Sequence, residues 1–187
     1  MGEGLAPGTL RRVVVVGCSG SGKTTLAHQL AAITGAPHVE LDALYWGPEW
    51  QPRPAAAFLH DADAATAGER WVVDGNYRQT RDVVWPRATA IVWLNFGFPT
   101  VFARALRRTL RRVAMQERLF AGNRETLWRT FATRESLLWW VITSYRRRMR
   151  EFRALRASGA YPVLAWYELT RPRETARFLA EASTTPL

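Results

Sequence analysis

The hydrophobic pattern changes period along the chain, and those changes mark out strands and helices. Arg12-Val13-Val14-Val15-Val16-Gly17 is an unbroken β-branched run, not an alternating one, as in a strand covered on both faces of a parallel sheet. Residues 23–34 then place Leu26, Leu30 and Ile33 at helical spacing, and Gly35-Ala36-Pro37 stops the run. Short apolar runs predict further strands at 38–41, 71–73, 89–94 and 162–166. Helical patterns separate them, so the expectation is βα repetition: an α/β fold with a parallel, doubly wound sheet.

The segment 99–157 reads differently. Phe102, Leu106, Leu110 and Val113 form one helical stripe, with Arg104, Arg107, Arg108, Arg111 and Arg112 over much of the remaining surface. After a break at Ala121-Gly122-Asn123, a second stripe runs through Leu138, Ile142, Tyr145, Met149 and Phe152. One helix from 125 to 156 would be about 48 Å long, more than a compact domain of this size accommodates. An interruption is therefore expected near 132–136.

Length and composition narrow the class. With 187 residues and 48% apolar side chains, the chain is expected to form a single domain with one core over 1–187. The nine Trp and eight Phe exclude disorder as the main state. A net charge of +10 suggests affinity for polyanions, but residues 101–156 hold 15 Arg and 4 acids, and the rest of the chain sums to −1. The lone Cys18 rules out an intrachain disulfide framework, and neither a signal peptide nor a membrane-spanning apolar run is visible. A soluble cytoplasmic protein with no membrane partner is the expectation.

Gly17-Cys18-Ser19-Gly20-Ser21-Gly22-Lys23-Thr24 matches G-x-x-x-x-G-K-[ST] in full, between a buried-type strand and an amphipathic helix. The glycines let consecutive backbone N–H groups surround a phosphate, and the following helix aims its positive end at the same anion. Lys23 is the only lysine among 26 basic residues, and it stands where a slim ammonium can reach the β- and γ-phosphates. The Thr24 hydroxyl can ligate Mg²⁺. Residues 17–25, Thr25 included, are thus the expected seat of ATP, with ATP and Mg²⁺ as cofactors.

Other positions carry candidate chemistry. Asp74 ends the third strand, at the carboxyl edge where doubly wound sheets bind ligands, and can hold the Mg²⁺ hydration shell; a plain Asp-Gly turn is the alternative. Asp42 lies just beyond the second strand and shares a side of an extended chain with Glu40. It suits a general base or positioning group for a hydroxyl acceptor, with a helix N-cap or loop acid as the alternative. Trp46 and Trp50, among Pro48, Pro52 and Pro54, read as a rigid aromatic lip that could stack on a flat acceptor, with packing against the sheet as the more frequent use of such residues. His28, His38 and His60 have no metal-ligand spacing and are read as structural or exposed. The arginines of 99–157 allow three readings: solvated helix surface, a lid over bound phosphates, or a nucleic-acid face helped by Trp128, Trp139 and Trp140.

These motifs resemble those of the adenylate-kinase-related P-loop proteins called DNA topology modulation proteins. The resemblance rests on residues 17–24, on Leu41-Asp42-Ala43-Leu44-Tyr45-Trp46 with Trp50, on residues 71–77, and on the Arg104/Arg108 pair. It implies a nucleoside-monophosphate-kinase-like fold: five parallel strands in the order 2-3-1-4-5, flanked by helices, with an arginine-rich mobile lid over about 99–157. The family's acceptor-binding Asp-Gly-Phe-Pro-Arg motif reads Asp74-Gly75-Asn76-Tyr77-Arg78 here, so Asp74 carries over and Arg78 is the acceptor candidate, with Arg81 as competitor. The AMP-site motif is missing from 42–70, so the identity of the acceptor does not carry over. The expected function is a small ATP- and Mg²⁺-dependent kinase, or a hydrolase derived from one. Lys23, Thr24 and Asp74 would serve the nucleotide and metal, a nucleotide or hydroxyl metabolite would enter between Asp42 and Arg78, and Arg108, Arg118 and Arg124 would close from the lid. The alternative is a nucleotide-gated nucleic-acid-binding regulator; a polynucleotide kinase would combine the two.

Overall fold

The computed structural model describes residues 5–6, 8–115, 120–122 and 137–185. Its centre is β1 (Arg12–Gly17), whose four valines are buried on both faces, as an unbroken apolar run requires. β1 pairs in parallel with β3 (Trp71–Asp74) on one side and β4 (Ala90–Leu94) on the other, and every residue of those two strands is buried. The short β2 (His38–Glu40) adds to β3 and β5 (Ala165–Leu169) adds to β4, giving the order β2-β3-β1-β4-β5 with all pairs parallel. The sheet has the expected order, and its reversal between β3 and β4 places the ligand crevice above the end of β1.

The strand boundaries differ from expectation at the two edges. The chain turns helical at Leu41, so β2 stops at Glu40 and α2 (Leu41–Tyr45) follows at once. β5 begins three residues later than the apolar run suggests. Pro162 lacks a backbone N–H, Val163 is 84% exposed, and the Leu164 N–H closes a turn on the Tyr161 carbonyl. The ladder starts only when the Ala165 N–H reaches the Thr89 carbonyl.

Helix α1 (Lys23–Thr34) runs from the end of β1 between two left-handed glycines, Gly22 and Gly35, and buries Leu26, Ala27, Leu30 and Ala31 against the sheet. Between β2 and β3 come a 3₁₀ turn (Pro48–Trp50) and α3 (Ala55–Ala65). After β3 the chain passes through a 3₁₀ turn (Arg78–Thr80) and α4 (Arg81–Val84). No described helix is long and apolar enough to cross a membrane.

The arginine-rich segment supplies α5 (Phe98–Met115), a 3₁₀ turn (Phe120–Gly122) and α6 (Leu137–Ala157). On α5 the buried face is Val101, Ala105 and Thr109. Phe102 and Leu106 are only half-buried and Leu110 is 49% exposed, so the expected stripe is rotated by one residue. The cause is a close approach: a Cβ on Gly20 would lie 2.8 Å from the Ala105 Cβ, so the small face of α5 sits directly on the loop after β1. On α6 the interior positions are Leu138, Val141, Ser144, Met149 and Phe152, while Ile142 is exposed. The break expected at 121–123 coincides with positive φ at Ala121 and Gly122. The interruption expected near 132–136 lies outside the described residues. The final helix is α7 (Pro172–Thr184).

Candidate functional site

The loop after β1 is shaped by residues without side chains. Gly17, Gly20 and Gly22 all have positive φ, and Gly17 has no room for a Cβ, which would stand 2.8 Å from the Ser21 Oγ and 2.9 Å from the Leu94 carbonyl oxygen. Arg104 of α5 donates to the Ser21 carbonyl at 2.8 Å while its guanidinium lies over the Phe96 ring. The Ser21 hydroxyl is buried and has no hydrogen-bond partner among the described residues.

Lys23 folds back over this loop and donates to the Cys18 carbonyl at 3.3 Å. Burial pulls its pKa down against the opposing pull of Asp42 and Asp74, and Arg108 adds to the downward side. Three groups singled out in the sequence, Asp42, Asp74 and Arg108, thus act electrostatically on Lys23. Burial also pushes the Cys18 thiol up to about 11, which makes the cysteine an inert wall residue. Thr24 and Thr25 are exposed in the first turn of α1, and Thr24 donates to Glu40 at 3.4 Å.

Across the crevice, β3 delivers Asp74, only 2% exposed, with an Oδ1 that has no hydrogen-bond partner among the described residues. His38 Nε2 lies 3.5 Å from that Oδ1, and this contact raises the imidazole pKa against the effect of burial. A buried carboxylate and an exposed threonine hydroxyl, both at the carboxyl edge of the sheet, are donor types that Mg²⁺ takes while retaining much of its water shell. Among the described residues no three His, Cys, Asp or Glu side chains form a closed metal cage. Thr24 and Asp74 are the described residues that could hold Mg²⁺ together with a nucleotide.

The segment after Asp74 does work that the sequence did not reveal. Gly75 has φ 144 and lets the chain pass Leu41, whose Cβ a side chain would meet at 2.8 Å. Asn76 then clasps Gly17: its Oδ1 accepts from the Gly17 N–H at 3.3 Å and its Nδ2 donates to the Gly17 carbonyl. Tyr77 donates its hydroxyl to Asp42 Oδ1 at 2.6 Å. Burial and the Asp42 charge push that phenol's pKa up, so it stays a donor. Asp42 lies in the first turn of α2, so neither an extended chain shared with Glu40 nor a capping bond explains it. Glu40 is nonetheless close, its pKa raised by burial, Asp74 and Asp42.

The aromatic lip is present. Tyr45 packs on Tyr77 and Trp46 with ring centroids at 4.6 and 4.8 Å, and Trp46 meets Trp50 edge-on at 5.8 Å. Glu49 and Trp50 both have positive φ, held by a Gly47 N–H to Gln51 carbonyl bond and a bridge between Trp46 and Pro52. The Phe120–Gly122 turn lies against α2 and this lip.

The arginines divide. Arg104 and Arg108 face the loop and Lys23. Arg78 is exposed at the start of its 3₁₀ turn. Arg81, its competitor for the acceptor, is buried and committed elsewhere: it pairs with Glu151 at 2.7 Å and lies over Trp85 and Phe152. Arg118 and Arg124 lie outside the described residues. Sequence reasoning missed Asn76 and the Tyr77 hydroxyl, because their value depends on partners 59 and 35 residues away.

No family model matches the chain, and no curated protein does. Solved structures do. A gluconokinase from Sinorhizobium meliloti 1021 superposes with a TM-score of 0.52 over 93% of this chain and 90% of its own, at 21% identity. A shikimate kinase from Bacteroides thetaiotaomicron gives 0.55 over 91% and 94%, at 13% identity. The chain has the small P-loop kinase fold.

Proposed function

We propose that the protein is a small P-loop kinase that moves the terminal phosphoryl group of ATP to a small acceptor, in the manner of the adenylate-kinase-related proteins it resembles. The observation that carries this reading is the position of Lys23, folded over a glycine-shaped loop and acted on electrostatically by Asp42, Asp74 and Arg108. Backbone N–H groups of residues 17–25 receive the phosphates, and Lys23 swings from the Cys18 carbonyl to the β- and γ-oxygens. Thr24 and Asp74 would hold Mg²⁺, which neutralises charge on the phosphates. The acceptor enters on the Asp42 side, with Arg78 at its outer edge. Arg108, joined by Arg118 and Arg124 from the lid, offsets charge spreading over the transferred group.

In this reading the chain is one cytoplasmic kinase domain with residues 99–157 as its lid. The phosphates of a bound nucleotide take precedence over those of nucleic acid, because Arg104 donates to the Ser21 carbonyl of the loop and Arg108 acts on Lys23. Lys23→Ala tests it. ADP release with Mg²⁺-ATP, over a panel of nucleotides, nucleosides and small hydroxyl metabolites, should fall by about 10³-fold or more. Turnover equal to that of the unaltered protein would exclude the proposal.

A further inference from the structure

Along β1 the odd-numbered residues turn their peptide groups towards β3. Arg11, just before the strand, offers its carbonyl to the Trp71 N–H at 3.0 Å, and Val15 offers its own to the Gly75 N–H at 3.4 Å. Arg12 points the other way and accepts from the Thr89 N–H at 2.7 Å, on the β4 side. Gly17 is therefore the next residue whose N–H and carbonyl look towards β3. By then β3 has ended. Its register with β1 closes at Asp74 opposite Val15, and Gly75, at φ 144, carries the chain away past Leu41. On that side the peptide groups of Gly17 have no strand to pair with.

Asn76 supplies the missing partner from its side chain. Its Oδ1 accepts from the Gly17 N–H at 3.3 Å, and its Nδ2 donates to the Gly17 carbonyl. A planar amide presents one acceptor and one donor as a peptide group does, whereas an aspartate of the same shape offers acceptors alone. The clasp thus extends the β3 side of the ladder by one pairing, onto the first residue of the phosphate loop. The rest of the loop hangs from that residue. The next carbonyl, that of Cys18, accepts from the Ser21 N–H at 3.0 Å and from Lys23 Nζ at 3.3 Å. Gly17 is also hemmed in by Ser21 Oγ and the Leu94 carbonyl, with no room for a Cβ, so a shift of its peptide passes into the loop.

We infer that Asn76 is a positioning residue for ATP: its amide holds the Gly17 peptide at the root of the phosphate loop and so sets nucleotide affinity rather than the rate of the chemical step. The inference rests on the nucleotide site proposed above and adds to it a residue outside 17–25. Asn76 acts through Gly17 and touches no substrate. Without the amide, both Gly17 groups turn to water, and the loop takes up shapes that must be reordered when phosphates bind. That cost falls on binding. Seated phosphates then hold the loop themselves, so the bound complex reacts at nearly its former rate.

Asn76→Ala in the full chain should raise the Kd for Mg²⁺-ATP, measured by isothermal titration, by about 10–30-fold, the scale of two neutral hydrogen bonds. Turnover at saturating ATP, with the acceptor panel or with water, should stay within about threefold. A residue that only stabilises the fold gives the opposite split, a lower apparent kcat with an unchanged KM for ATP. Amide hydrogen exchange adds a readout without nucleotide. In Asn76→Ala the Gly17 N–H should exchange faster by about 10-fold or more, while those of residues 13–15 keep their protection. If exchange speeds up throughout β1, the fold is lost and Asn76→Asp decides instead. That variant keeps an acceptor for the Gly17 N–H and loses the donor to its carbonyl, and should weaken Mg²⁺-ATP binding by about fivefold or more. An unchanged Kd in a folded variant, a Gly17 N–H that stays protected, or a fall in kcat at unchanged KM overturns the inference. The kinase reading fails on a different result, equal ATP turnover in the unaltered protein and Lys23→Ala, and the Kd comparison then still decides the role of Asn76. No Mg²⁺-ATP binding by the unaltered protein overturns both.

Discussion

The two sides of the crevice are made of different materials. The side proposed for the nucleotide is mostly backbone: glycines at positive φ, carbonyls and N–H groups, with Lys23 and Arg104 bonded to its carbonyls. The side proposed for the acceptor is side chain: Asp42 and a cluster of aromatic rings on short elements after β2 and β3. A backbone site is intolerant because any added atom displaces structure, whereas a side-chain site can change its chemistry and keep its shape.

Gly20→Val tests that intolerance most severely. At φ +85 a branched side chain is strained, and its Cβ would meet Ala105 Cβ at 2.8 Å and the Val101 carbonyl at 2.9 Å, both on a packed helix. Overpacking and strain together should cost about 2–4 kcal/mol of stability, and the displaced loop should bind ATP at least about 100-fold more weakly. Thermal melts with and without Mg²⁺-ATP measure both. A variant that keeps its melting temperature and its ATP-induced stabilisation would mean that α5 does not press on the loop.

What the sequence revealed follows the same division. The β1 valines and the spacing of residues 17–24 are local patterns with a local physical cause, so strand, loop and helix were all legible. The edges were not. Pro162 and Val163 belong to a turn because the ladder to β4 begins at Ala165, a matter of register with a distant strand. The buried stripe of α5 is set by Ala105 meeting Gly20, and the apolar run containing Leu110 has no means of signalling that contact. Asn76 and Tyr77 have no role of their own in the sequence until the fold brings Gly17 and Asp42 to them. By sequence Arg78 is the acceptor candidate and Arg81 its competitor, and the pairing of Arg81 with Glu151 on α6 is visible only in the fold.

Glu151 also braces the two sides. It holds Arg81, at the end of the acceptor-side segment, and Arg148, one turn beyond the Tyr145 carbonyl that lies 4.0 Å from Cys18 Sγ. Burial pushes the Glu151 pKa up, but the hydrogen bond and charge of Arg81, with Arg148 behind it, outweigh burial and hold it below the ordinary carboxylate value. A depressed folded-state pKa stabilises the protein above the unfolded value of about 4.3 and stops doing so as pH falls through the folded value. Glu151→Gln should therefore cost about 2–3 kcal/mol near pH 7, since it leaves a buried guanidinium without its counter-charge. The gap from the unaltered protein should narrow below about pH 4. Denaturant melts at several pH values provide the check, and a gap that is constant with pH would show that Glu151 acts through packing alone.

The smallest effect expected belongs to Tyr77→Phe, and it asks whether the two sides can be separated at all. The change removes one O–H···O bond to Asp42 and leaves the ring in place against Tyr45 at 4.6 Å and Phe58 at 5.0 Å. Since the packing survives, stability should fall by no more than about 1 kcal/mol. Asp42 loses the donor that fixes its orientation, so kcat should drop by about tenfold, the scale of one hydrogen bond to a charged group. The KM for ATP should not move, because the Tyr77 hydroxyl bonds to Asp42 and not to the loop. Asn76, one residue earlier, is the element that does touch Gly17. If Tyr77→Phe raised the ATP KM along with lowering kcat, the strain would be passing through Asn76 into the loop, and the backbone-built and side-chain-built halves would be one mechanical unit.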